Sequence, residues 1–94
     1  MTAKELGKLI ARDPEWKWQA GMMSGTGWRL VGEVSPGLWL MIAQSDEDPR
    51  QTDKCIGVPD YPNAHDPLTC LGMKDFAPRL VGEWAFDNKY ENQG

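Results

Sequence analysis

Ninety-four residues with a net charge of −4, a pI near 4.8, 40% hydrophobic and 26% charged residues describe one globular domain with room for a modest core. The acidic balance argues against direct nucleic-acid binding, which draws most of its non-specific affinity from basic side chains on phosphate. The longest apolar run, Leu38 to Ala43, is far too short to span a bilayer.

Residues 1–20 carry Lys4, Lys8, Arg12 and Lys17 and lack the apolar stretch of a signal peptide. The expectation is therefore a cytoplasmic protein with no membrane association, in which Cys55 and Cys70 are free thiols.

A helix is predicted over residues 2–13. Thr2 can cap it with Glu5 at the capping-box spacing, and Leu6, Leu9 and Ile10 share a face opposite Lys4, Lys8 and Arg12. Asp13-Pro14-Glu15 repeats a helix-start signature, predicting a break near Asp13 and a short extra turn carrying Trp16 and Trp18. Gly21 to Gly27 is glycine-rich and reads as a loop; Gly25-Thr26-Gly27 completes no phosphate-binding pattern.

Trp28 to Val34 alternates in a half-buried strand pattern, Ser35-Pro36-Gly37 suits a type II turn, and Leu38 to Ala43 follows as an almost wholly apolar strand. These make a β-hairpin. Gln44 to Lys54 reads as a polar loop around Asp46-Glu47-Asp48, without the glycine and distal glutamate of a calcium loop. Cys55 to Val58 is a short edge strand, and Pro59 to Asn63 a turn cluster.

Asp66-Pro67 opens a second helix over residues 67–74 that buries Leu68, Leu71 and Met73, and Pro78 ends that segment. Arg79 to Phe86 reads as a last strand with Leu80, Gly82, Trp84 and Phe86 on one face. The predicted order is α-β-β-(β)-α-β. It describes a single α+β domain over residues 1–94 whose N-terminal helix packs on a short antiparallel sheet, with an acidic loop at 44–54 and a frayed polar tail at 88–94.

A short segment occurs twice. Gly21-Met22 precedes Arg29-Leu30-Val31-Gly32-Glu33, and Gly72-Met73 precedes Arg79-Leu80-Val81-Gly82-Glu83. Two strands placing Leu30 and Leu80 alike would bury a pseudo-symmetric core or expose an edge for homodimerisation. Five residues do not fix a period, so a helical second copy stays open.

Little in the sequence points to catalysis. Cys55, His65 and Cys70 form Cys-x9-His-x4-Cys, which has no close ligand pair of the kind zinc sites use. No motif surrounds either cysteine as a nucleophile, and neither a metal nor a cofactor is expected. Binding surfaces remain. Five tryptophans are too many for a core this small to bury fully, and an indole beside an arginine, as at Trp28-Arg29, suits either a protein interface or stacked single-stranded bases.

The motif order resembles that of small uncharacterised proteins encoded by bacteriophages and prophages. The residues that carry the resemblance are Asp13-Pro14-Glu15-Trp16-Lys17-Trp18 followed by Gly21-Met22, then Pro59-Asp60, then Asp66-Pro67-Leu68-Thr69-Cys70-Leu71-Gly72. They cover about half of the chain in pieces. The sequence departs after Gly72, where the long helix that the resemblance implies meets Pro78 and Gly82.

The resemblance implies a phage origin and brings no catalytic residues with it. Acidic phage accessory proteins of this size look like inhibitors of host machinery, anti-CRISPR proteins among them. The expectation is a non-enzymatic protein that binds and inhibits a host protein complex such as a CRISPR-Cas effector. Asp46, Glu47, Asp48 and Asp53 would oppose a Lys/Arg groove, with Trp28 and Arg29 as further contacts. The alternative is a nucleic-acid-binding accessory protein using exposed tryptophans.

Overall fold

The computed structural model describes residues 1–45, 47–48 and 50–93, the last six of these for the backbone alone. Helix α1 spans Ala3–Ala11, and the Thr2 hydroxyl caps it by accepting the Glu5 N–H at 3.1 Å. Leu6 and Ile10 are buried as their spacing predicts, while Leu9, expected on the same face, is 44% exposed. The chain then turns at Asp13, whose carboxylate accepts the Glu15 N–H at 2.9 Å.

Strands β1 (Arg29–Ser35), β2 (Leu38–Gln44) and β3 (Thr52–Gly57) form an antiparallel sheet in the order β1-β2-β3. Gly37, at φ +83°, supplies the positive dihedral that the Pro36-Gly37 turn between β1 and β2 needs. The α+β class and the hairpin follow the sequence pattern. The glycine-rich stretch is a loop as expected, tied to β1 by two backbone bonds (Gly21 N–H to Leu30 O, 2.7 Å; Leu30 N–H to Met22 O, 2.8 Å) and turning at Gly25-Thr26, where the Gly27 N–H meets Ser24 O at 3.0 Å. Residues 61–63 run alongside in turn, the Asn63 N–H reaching Met23 O at 3.0 Å.

The acidic loop is shorter than expected. Strand β2 continues to Gln44 and β3 begins at Thr52, so Asp53 and Lys54 are strand residues and only 45–51 connect. Pairing explains it: Ala43 faces Asp53 and Gln44 faces Thr52, and backbone ladder bonds outweigh the polarity of the side chains.

Helix α2 spans Pro67–Phe76 and α3 spans Pro78–Gln93. The strand expected at Arg79 to Phe86 is therefore a helix, and the tail expected from residue 88 extends it to Gln93, with Gly94 outside the described residues. The same pentapeptide is strand at Arg29–Glu33 and helix at Arg79–Glu83.

Neighbours decide between the two. The first copy runs into Pro36-Gly37, which returns it as a hairpin. The second follows Pro78, whose fixed φ and missing N–H suit a first helical position. Ala77 before it takes φ −136°, ψ 69°, an escape from helical geometry that a following proline favours. The helical period then sends Val81 and Trp84 inward and leaves Phe86 62% exposed.

Two small cores result. Leu6, Ile10, Ala64, Met73, Val81 and Trp84 pack together between the helices, while Leu30, Trp39 and Met41 pack on one face of the sheet beneath Trp18 and Trp28. Helix α1 thus lies against α3 and the segment at Pro62, where the N-terminal helix was expected to lie on the sheet. The reason is the second helical copy, which supplies the apolar stripe that α1 covers. The molecule is a slab of 37 × 33 × 17 Å. No helix among the described residues is long and apolar enough to cross a membrane.

Two glycine substitutions should have opposite signs. A Cβ on Gly7 would collide with the Pro62 carbonyl, so Gly7→Ala should cost about 1–3 kcal/mol in urea unfolding. Gly82 meets nothing within 4 Å, and in a helix interior Gly82→Ala should gain about 0.5–1 kcal/mol.

Candidate interaction surface

The residues expected to bind a partner separate into three situations. Asp46 lies outside the described residues. Glu47 is exposed, whereas the Asp48 carboxylate is folded back on its own turn, accepting the Arg50 N–H at 3.0 Å. Asp53 is exposed on β3 opposite Ala43. Trp28 is half-buried against the sheet core. Arg29 is committed elsewhere: its guanidinium donates to Gly21 O at 2.7 Å and to Asp66 Oδ1 at 3.0 Å. It ties β1 to the start of α2, with 40% of its side chain still open to solvent.

Asp66 is the centre of that network. As the N-cap of α2 its Oδ2 accepts the Thr69 N–H at 3.1 Å and the Thr69 hydroxyl at 2.7 Å. The Thr69 oxygen, fully buried, in turn accepts the Met23 N–H at 2.7 Å. One carboxylate thus ties the start of α2, β1 and the segment beside it. Burial pushes the Asp66 carboxyl up, but the hydrogen bonds from Thr69 and Arg29 together outweigh it and hold the pKa below the ordinary 3.8.

The sulfur and imidazole groups are not gathered. Cys55 packs against the sheet core and Cys70 against the helical core, while His65 sits edge-on to Trp84 at 5.7 Å between ring centres. Among the described residues no three of His, Cys, Asp and Glu are placed to hold a metal ion. Of the five tryptophans, Trp39 and Trp84 are buried and the other three half-buried, so the open indole faces that stacked bases need are limited.

The feature that residue types alone did not single out is the outer face of the sheet. On β2, Trp39 and Met41 point into the core, so Leu38, Leu40 and Ile42 point away from it. Ile56 pairs with Leu40 and is 63% exposed. Bulges in β1 set Val31 beside Leu40 and Val34 beside Leu38, with 47% and 52% of their surfaces open. None of the described helices covers this aliphatic face. The signal in the sequence was the run Leu38 to Ala43: a strand apolar on both sides expects cover on both sides, and the chain supplies one.

Comparison with known protein families, with characterised proteins and with solved structures finds no match to this chain.

Asp66→Asn should keep a capping oxygen but lose the charge that pairs with Arg29, costing about 1–2 kcal/mol at neutral pH. A folded pKa below the unfolded 3.8 means that the stabilisation is present above 3.8 and lost as pH falls through the lowered value. Urea midpoints of the two proteins should therefore converge at strongly acidic pH and stay apart at pH 5 and above.

Proposed function

We propose that this protein acts by binding another protein through the outer face of its sheet, as a non-enzymatic accessory factor that inhibits a host complex. The observation that supports binding is the aliphatic surface of Val31, Val34, Leu38 and Ile56, exposed around the half-buried Leu40 and Ile42. A contiguous patch of this kind is costly to leave in water, and on small soluble domains such patches are often interaction sites.

Inhibition, a phage origin and a CRISPR-Cas effector as target are supported by the motif resemblance at Asp13–Trp18 and Asp66–Gly72, and by the acidic charge. Within this reading the exposed acidic groups, Glu47 and Asp53, belong to the end of the β2–β3 hairpin, with Asp53 on the side of the sheet that Ala43 and Met41 share. Charges at a rim set approach and salt dependence, and the buried apolar centre sets the lifetime of the complex.

The test is capture from nuclease-treated host lysate by the tagged protein and by two variants. Ile56 is largely exposed, so Ile56→Lys should change stability by no more than about 0.5 kcal/mol. It should abolish capture of a stoichiometric protein complex. Glu47→Lys with Asp53→Lys should weaken capture at low salt and matter little at high salt. Capture unaffected by Ile56→Lys, or recovery of nucleic acid alone, would remove the proposal.

A further inference from the structure

Strand β3 ends the sheet, and among the described residues no backbone bond reaches its far edge. The Ser45 N–H donates to Gln51 O at 3.0 Å, and this bond fixes the phase of the β2–β3 ladder. Hydrogen-bonded pairs recur at every second residue of an antiparallel ladder. Ala43–Asp53, Met41–Cys55 and Trp39–Gly57 therefore exchange bonds, and the pairs between them do not. The N–H and C=O groups of Thr52, Lys54 and Ile56 point away from β2, toward solvent.

Open edges are ordinarily guarded by bulges, prolines, charges or a covering loop. The β2–β3 register runs without a shift from Trp39–Gly57 to Gln44–Thr52, whereas β1 is interrupted twice. Strand β3 holds no proline, and Thr52, Lys54 and Ile56 are all exposed. Its guards are charges alone: Lys54 on the outer face, with Ile42, and Asp53 on the inner, with Ala43.

We infer that β3 receives an extended segment of another protein as a further antiparallel strand, with an acidic residue of that segment opposite Lys54. Each outward residue of β3 offers a donor and an acceptor, which an extended backbone matches. A helix, whose groups are already bonded within it, does not.

Side chains choose the segment. Opposite Lys54 an acid is attracted, opposite Ile56 a β-branched residue packs, and opposite Asp53, on the other face, a lysine or arginine fits. A second copy of β3, turned about a two-fold axis normal to the sheet, brings Thr52, Lys54 and Ile56 to the face of Lys54 and Asp53, Cys55 and Gly57 to the face of Asp53. It supplies neither the acid nor the base. The edge is built from backbone atoms at the margin of the sheet, so this inference goes beyond the face-on docking proposed above and does not depend on it.

The experiment is amide hydrogen exchange on the full chain, labelled with ¹⁵N, alone and with a capped peptide, Phe-Val-Thr-Glu-Lys-Thr, written to set its glutamate opposite Lys54. Alone, the amides of Asp53, Cys55 and Gly57 should be protected and those of Thr52, Lys54 and Ile56 should exchange freely. With the peptide, Thr52, Lys54 and Ile56 should slow together and saturably. The same peptide N-methylated at its glutamate lacks the central donor and should not bind.

A lysine-for-glutamate peptide should bind about two- to five-fold more weakly, and Lys54→Glu should reverse that order, a swap that a folding defect cannot produce. Val34→Lys charges the outer face on β1, away from this edge, and should leave the exchange pattern unchanged, which separates failure of the edge from failure of face-on docking. Absence of slowing at millimolar peptide, or equal binding of the N-methylated form, would overturn the inference. So would protection of Thr52, Lys54 and Ile56 in the chain alone, the sign of an edge paired with its own copy.

Discussion

The structure depends on one half-buried carboxylate. Neither apolar cluster is large, and nothing in their composition orders one against the other. Asp66 does so by accepting from Arg29 on β1 and from the backbone and hydroxyl of Thr69 on α2, while Thr69 takes the Met23 N–H. A charge brought into such a site is tolerated only where its oxygens are satisfied, and Asp66 meets that demand with an ion pair and an N-cap together. The arrangement is directional in a way that apolar packing is not, and it fixes the helices beside the sheet's inner side.

That placement has a consequence for the other side. With α1 on α3, and with Trp18 and Trp28 closing the inner face, the described helices do not form a layer over the sheet. A sheet in a small domain is expected to have one face on the core and a polar face in water. Here the outer positions of β2 are Leu38, Leu40 and Ile42, and Ile56 stands beside Leu40. The bulges in β1 interrupt regular pairing at that edge, and Lys54, paired with Ile42, sets one charge at the end of the outer face. A face left aliphatic is suited to docking face-on.

Local signals were readable wherever a turn or cap dictated the outcome. Thr2 with Glu5, Pro36-Gly37 and Asp66-Pro67 each place an element boundary by their own chemistry, and the structure puts α1, the hairpin and α2 there. The Arg-Leu-Val-Gly-Glu pentapeptide was not readable. Its alternation and its helical period are equally good, and only the flanking Pro78 in one copy and Pro36-Gly37 in the other separate them.

The candidate site was legible in even smaller part. Exposed acids and an arginine beside a tryptophan are what composition offers, yet Arg29 turns out to be bound to Asp66 and Asp48 to its own turn. The aliphatic face emerges only when strand order and register are known, because which side of β2 lacks cover is a property of the topology.

The central claim is that a partner covers the outer face of the sheet. Methyl cross-saturation in the complex with the captured partner tests it most directly. Saturation from the partner should reach Val31, Leu40, Ile42 and Ile56 and spare Leu68 and Leu71, the exposed leucines of α2. Saturation confined to Leu68 and Leu71, with the sheet methyls untouched, would contradict the account.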